Sequence, residues 1–97
     1  MVDITAEELE SKIREILDHG LLIYSGHVKA RMVERNYTMG DVRHILKNGK
    51  IIKFNQEGTE KYHCEIHGED LEGYMGGVIT IVIKNTKLII VTVLGGI

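Results

Sequence analysis

His27, Arg31 and Arg35 stand four residues apart in the stretch Ser25-Gly26-His27-Val28-Lys29-Ala30-Arg31-Met32-Val33-Glu34-Arg35-Asn36-Tyr37-Thr38. Read as a helix capped by Ser25, this spacing stacks the three side chains along one helical edge. An imidazole exchanges its proton near neutral pH, and guanidinium forks meet phosphate oxygens two at a time. One proton-transfer group followed by two fixed cations suits a phosphodiester. RNA can be cut without a metal, because its own 2′-hydroxyl attacks the adjacent phosphate. The protein need only move protons and stabilise the developing charge. In this reading His27 is base or acid, and Arg31 and Arg35 clamp the phosphate. Lys29 on the same helix, with Lys50 and Lys53 further on, extends the cationic surface along the RNA backbone. Tyr62 is a candidate second proton donor or stacking partner, with core packing as its plainer role. The plainer reading of the edge is a His27 that caps or packs at the helix start, with arginines paired to Glu34 and Asp41.

The charge distribution bears on that choice. Formal net charge is −2, yet the segment from His27 to Lys53 carries +5 and the remainder −7. A basic middle between acidic flanks fits an anionic partner, unless the flanks fold over and neutralise it. Ninety-seven residues make one domain with a single core. A lone Cys64 excludes an internal disulfide framework and suits a reducing cytoplasm. The acidic start (Asp3, Glu7, Glu8, Glu10) does not read as a targeting peptide. The apolar tract from Gly77 to Ile97 is broken by Lys84-Asn85-Thr86-Lys87, so no membrane span is expected.

Three helices precede the strands. Thr5-Ala6-Glu7-Glu8 is a capping box, with Ile4 and Leu9 placed as a hydrophobic staple. Leu9, Ile13, Ile16 and Leu17 then repeat at helical spacing, which predicts a helix over 6–18 that His19-Gly20 stops. Leu21 to Tyr24 reads equally as a strand or an extended connector. The second helix covers 26–36 and buries Val28 and Met32, with Val33 a third candidate for that face, its His27 edge flanking the apolar sector. Thr38-Met39-Gly40-Asp41 is a looser capping box for a third helix over 39–48, cored by Val42, Ile45 and Leu46. From 50 to 94 the period changes to that of strands. Lys50 to Phe54, Lys61 to His67, Val78 to Lys84 and Leu88 to Leu94 form an antiparallel meander of about four strands. Gln56-Glu57-Gly58-Thr59 is its first turn, Gly68 to Gly77 a polar, glycine-rich loop, and Asn85-Thr86 a tight turn. The fold class is α+β, helices packed on an antiparallel sheet.

Other constellations are weaker. His63-Cys64-Glu65-Ile66-His67 invites a metal, but on a strand Cys64 points away from both histidines. Those two sit about 13 Å apart, too far to share one zinc ion. No metal and no cofactor are expected. Cys64 falls on the face of Tyr62 and Ile66, where a buried thiol is inert. Gly73-Tyr74-Met75-Gly76-Gly77 lacks both the phosphate-loop pattern and a following helix.

The run from His27 to Arg35, then Tyr37-Thr38, Asp41-Val42, Ile45-Leu46 and Gly49-Lys50-Ile51-Ile52, closing on Val91-Thr92-Val93, resembles the DUF 4258 family of small prokaryotic domains. The resemblance covers about residues 22 to 94. It implies kinship in pattern with RelE-, BrnT- and MqsR-like toxins, small ribonucleases paired with antitoxins. His27, Arg31 and Arg35 match the motif one for one. The expectation that follows is a RelE/BrnT-like cytoplasmic endoribonuclease that needs no metal and works by 2′-hydroxyl transesterification. Its partners would be RNA and a small antitoxin-like protein. The alternatives are a non-catalytic interaction module of the same fold using an exposed sheet edge, and a small-ligand domain with Tyr74 and the glycine loop as lid. Oligomeric state and RNA preference are not written in the sequence.

Overall fold

Capping chemistry sets the helix starts. The computed structural model describes residues 4–95; Asp3, the first of the acidic N-terminal residues, lies outside them. Helix α1 (Ala6–His19) begins where the Thr5 hydroxyl accepts the Glu8 N–H at 3.1 Å and Glu8 Oε1 accepts the Thr5 N–H at 3.0 Å. Its buried side carries Leu9, Ile13, Ile16 and Leu17, and Ile4 packs against the same core. No helix among the described residues is long and apolar enough to cross a membrane.

After α1 the chain makes strand β1 (Leu21–Tyr24), then helices α2 (Gly26–Glu34) and α3 (Met39–Asn48). Four longer strands follow: β2 (Lys50–Gly58), β3 (Lys61–Glu69), β4 (Met75–Ile83) and β5 (Lys87–Leu94). They form one sheet in the order β1-β5-β4-β3-β2. The four-stranded antiparallel meander is present as β2 to β5, but the sheet has five strands and is mixed. Leu21–Tyr24 pairs in parallel with Lys87–Ile90. Four residues carry too short an alternation to declare a strand, and their partner lies more than sixty positions away.

Two further corrections concern glycines and turns. The expected loop from Gly68 to Gly77 is half strand, since β3 runs to Glu69 and β4 starts at Met75, leaving a turn of five residues. Gly68 and Gly76 serve close approach, while Gly73 supplies the left-handed φ of 89° in the turn. A Cβ on Gly68 would stand 2.7 Å from Gly49 Cα, and one on Gly76 would collide with the Tyr37 hydroxyl. Asp70 ties the remaining turn, its Oδ1 accepting the Glu72 and Tyr74 N–H groups at 2.9 and 3.0 Å. The expected turn at Gln56 to Thr59 also shifts. β2 continues to Gly58 through two register irregularities, and the chain reverses at Thr59-Glu60, where Glu60 takes φ 53°.

Helix residues share one buried cluster with the alternate strand residues Tyr62, Cys64, Ile66, Val78, Val82, Leu88, Ile90 and Val93. All three helices therefore cover the same sheet face. Burial pushes the Cys64 thiol up to about 12, as an apolar site does when it disfavours the thiolate. Polar links join the elements as well. Glu10 Oε2 accepts the Ile51 N–H at 2.8 Å, and Arg43 donates to the Leu17 carbonyl at 2.7 Å.

Asp41 fastens α3 to the β3–β4 hairpin. Its Oδ2 accepts from the Thr38 N–H and hydroxyl at 2.8 and 3.0 Å, and its Oδ1 accepts the Leu71 N–H at 3.0 Å. Burial by itself would raise this carboxyl. The bonds from Thr38 and Leu71, with the nearby His44 charge, outweigh burial and hold it below its ordinary 3.8. A depressed folded-state value stabilises the fold above the unfolded value and stops doing so as pH falls through the folded one. Asp41→Ala should cost about 1–3 kcal/mol at neutral pH in urea unfolding. The stability gap between the native chain and Asp41→Asn should narrow as pH drops below 3.8.

Candidate nucleic-acid edge on α2

Helix α2 is built to present its polar edge. The Ser25 hydroxyl accepts the Val28 N–H at 3.1 Å, which starts the helix directly before His27. Val28 and Met32 are buried and dock on β5. Val33, expected in the core, is 78% exposed instead, so the buried face is narrower than the pattern suggested. The helix ends at Glu34 rather than Asn36. Asn36 takes the left-handed φ of 56°, and the Tyr37 N–H closes the end on the Met32 carbonyl at 2.8 Å.

His27 is exposed in the first turn, near the positive end of the helix dipole. Arg31, one turn on, is half-buried. Its Nη1 lies 3.7 Å from Glu34 Oε1, while its Nε is buried with no hydrogen-bond partner. Arg35 caps the helix, and its side chain lies against Gly95, just past β5. The pairing of an arginine with Glu34 thus exists as a long contact. Asp41 is committed to Thr38 and Leu71.

Other candidates are placed elsewhere. Lys29 is exposed on α2, but two residues from His27 it points to a different side of the helix. Lys50 and Lys53 stand on β2, separated by β4 and β3 from the β5 strand on which α2 docks. At ~4.8 Å per strand that is about 14 Å. They therefore do not continue the α2 edge directly. Lys53 instead sits 3.7 Å from Glu65, whose other oxygen meets His67 Nε2 at 2.7 Å. Tyr62 is 4% exposed within the core, which removes it as proton donor or stacking partner. Tyr74 lies exposed in the turn that Asp70 ties.

Two groups escaped sequence reasoning. Tyr37 donates its hydroxyl to the Leu94 carbonyl at 3.1 Å, pinning the α2–α3 junction to the end of β5. Burial raises its pKa, and the charges of Asp70 and Asp41 raise it further against the opposing pull of Arg35. The Tyr-Thr pair marked the spot without revealing the contact. The second group is a groove of about 480 Å³ lined by His44, Asn48, Lys50, His67, Glu69 and Met75. His44 Nδ1 lies 2.8 Å from the Glu69 carbonyl. A carbonyl only accepts, so Nδ1 carries the proton and Nε2 is the free nitrogen. On an amphipathic helix His44 reads as plain surface, so no sequence signal pointed there. Among the described residues, no group of three or more His, Cys, Asp or Glu side chains could hold a metal ion.

The family described as Domain of unknown function (DUF4258) matches residues 24–94. The chain belongs to this family. The DUF4258 match begins at Tyr24, so it takes in α2, α3 and β2 to β5, with every candidate residue, and leaves α1 and most of β1 outside. No curated protein and no solved structure matches the chain.

A guanidinium kept for packing would lose stability when shortened or neutralised. One kept for a ligand pays for an unsatisfied Nε in the free protein. With its Nε unpaired, Arg31 contributes no hydrogen bond there to lose, so Arg31→Met should leave urea-unfolding stability within about 0.5 kcal/mol of the native chain, or above it.

Proposed function

We propose that this DUF4258 domain is an endoribonuclease that works without a metal, cleaving RNA by transesterification along the α2 edge. The observation that carries this reading is Arg31, whose Nε is buried and unpaired between an exposed His27 and an Arg35 at the end of the same helix. Two phosphate oxygens would accept from that guanidinium side by side, which Glu34 at 3.7 Å does not do.

In the proposed step the 2′-hydroxyl gives its proton to the His27 imidazole as the O2′–P bond forms. The P–O5′ bond breaks, and the imidazolium or a water returns a proton to the departing 5′-oxygen. Arg31 and Arg35 offset the charge that builds on the phosphorane oxygens. The products are a 2′,3′-cyclic phosphate, which opens to a 3′-phosphate, and a free 5′-hydroxyl. Kinship with RelE/BrnT-like toxins, and a small antitoxin-like protein as partner, belong to the same proposal.

Purified protein incubated with RNA in EDTA should yield cyclic-phosphate ends. His27→Ala should slow cleavage by about 10²–10⁴-fold, the usual contribution of a proton-transfer group. Arg31→Lys keeps the charge and loses the planar fork, so it should remain well below the native rate. Native-like cleavage by either variant rules this edge out.

A further inference from the structure

The sheet face opposite the helices carries a second surface. Alternate residues of β3, β4 and β5 enter the buried cluster, so the intervening ones point the other way, where no described residue packs a further layer. Register aligns them. Ile23, Ile89 and Ile81 form one row across β1, β5 and β4, and Leu21, Lys87 and Ile83 form the next. Ile79 continues the β4 column opposite Glu65. The result is an aliphatic stripe three strands wide, with Leu21 59% and Ile23 38% exposed.

Its borders are basic. Lys61 stands opposite Ile83 and Lys87 beside it, while Lys53 and Lys50 stand opposite Glu65 and His67 on the far side. Glu65 is already engaged by Lys53 and His67. Glu69, the last residue of β3, shares this face at its far end, and Glu57 and Glu60 lie near the end of β2 and in the β2–β3 turn. The chain as a whole is acidic, yet this face is not.

Three occupants can be compared on these facts. A nucleic-acid strand wants rings to stack on, but Tyr24, Phe54 and Tyr62 all turn to the helix side, leaving no Tyr or Phe ring on the stripe and only the imidazoles of His63 and His67 beside it. A second copy would set the lysines of one face against the lysines of the other, which is unfavourable. A helix about 10 Å across fits a stripe of this width and reads it through residues at i, i+3, i+4 and i+7. We propose that this face docks an amphipathic helix of a protein partner, with aliphatic side chains on the isoleucine stripe and carboxylates along the border that Lys61 and Lys87 form. The inference does not depend on RNA cleavage, whose groups lie on α2.

The test uses the whole chain and a labelled synthetic helix of about four turns, with leucine at i, i+3, i+4 and i+7 and glutamate on both flanks. Its twin carries lysine in place of glutamate. Fluorescence anisotropy should show the glutamate helix binding at least about tenfold tighter at low salt, an advantage that shrinks as salt rises. Ile81→Thr with Ile89→Thr should weaken it by about tenfold or more. Lys61→Gln with Lys87→Gln, at one exposed and one half-buried position outside the core cluster, should erase the preference between the twins. Equal affinity for both helices, or an affinity that neither pair of substitutions alters, overturns the proposal. So does single-stranded RNA that displaces the helix and itself loses affinity in the isoleucine variant, or a dimer in sedimentation that the same variant dissolves.

Discussion

Four parallel backbone pairs between Leu21–Tyr24 and Lys87–Ile90 hold the architecture together. They fix β1 at the edge of β5 and so dictate where the chain emerges after Tyr24. Ser25 caps the next helix at once, which leaves α2 no choice but to run beside the second half of β5. Val28 and Met32 then seal against the core. His27, Arg31 and Arg35 are carried to the margin of the helix layer, with Arg35 reaching Gly95 beyond the last strand. The cationic edge is thus a consequence of a strand pairing made at long sequence distance.

Polar groups divide into two kinds here. Most that join separate elements are satisfied, as when Glu10 takes the Ile51 N–H, Arg43 reaches Leu17, Tyr37 reaches Leu94 and Thr80 donates to Ile89. Each such bond is worth about 1 kcal/mol net, and together they set the angles at which helices meet the sheet. Arg31 Nε breaks the pattern, as does the Tyr24 hydroxyl. A buried donor without a partner costs about 1–3 kcal/mol. In Arg31 that cost falls on a side chain whose spacing already pointed to phosphate. The two observations are independent, one from sequence and one from packing, and they meet at the same residue.

The domain also distributes its charge by layer. Acidic residues gather on α1, which packs on α3, β1, β2 and β5, while the α2 edge stays basic. On the opposite side of the sheet, lysines border a bare isoleucine stripe. A chain acidic overall can therefore keep two basic borders, because the sheet keeps its faces apart.

Sequence by itself determined the three helices, their starting caps and the cores of α1 and α3, because capping boxes and 3.6-residue spacing are local facts. It determined the β2-to-β5 meander and the inward set Tyr62, Cys64 and Ile66 for the same reason. The stacking of His27 with Arg31 was legible too. Only the tertiary structure decided that Leu21–Tyr24 is a strand, that Val33 is bare, that Gly68 and Gly76 serve close packing, and that Lys50 and Lys53 stand three strands from the strand under α2. It alone brought His44 to Glu69 and Tyr37 to Leu94. Each of these depends on pairs far apart along the chain, whose meeting is set by sheet order and register, and no local pattern encodes either.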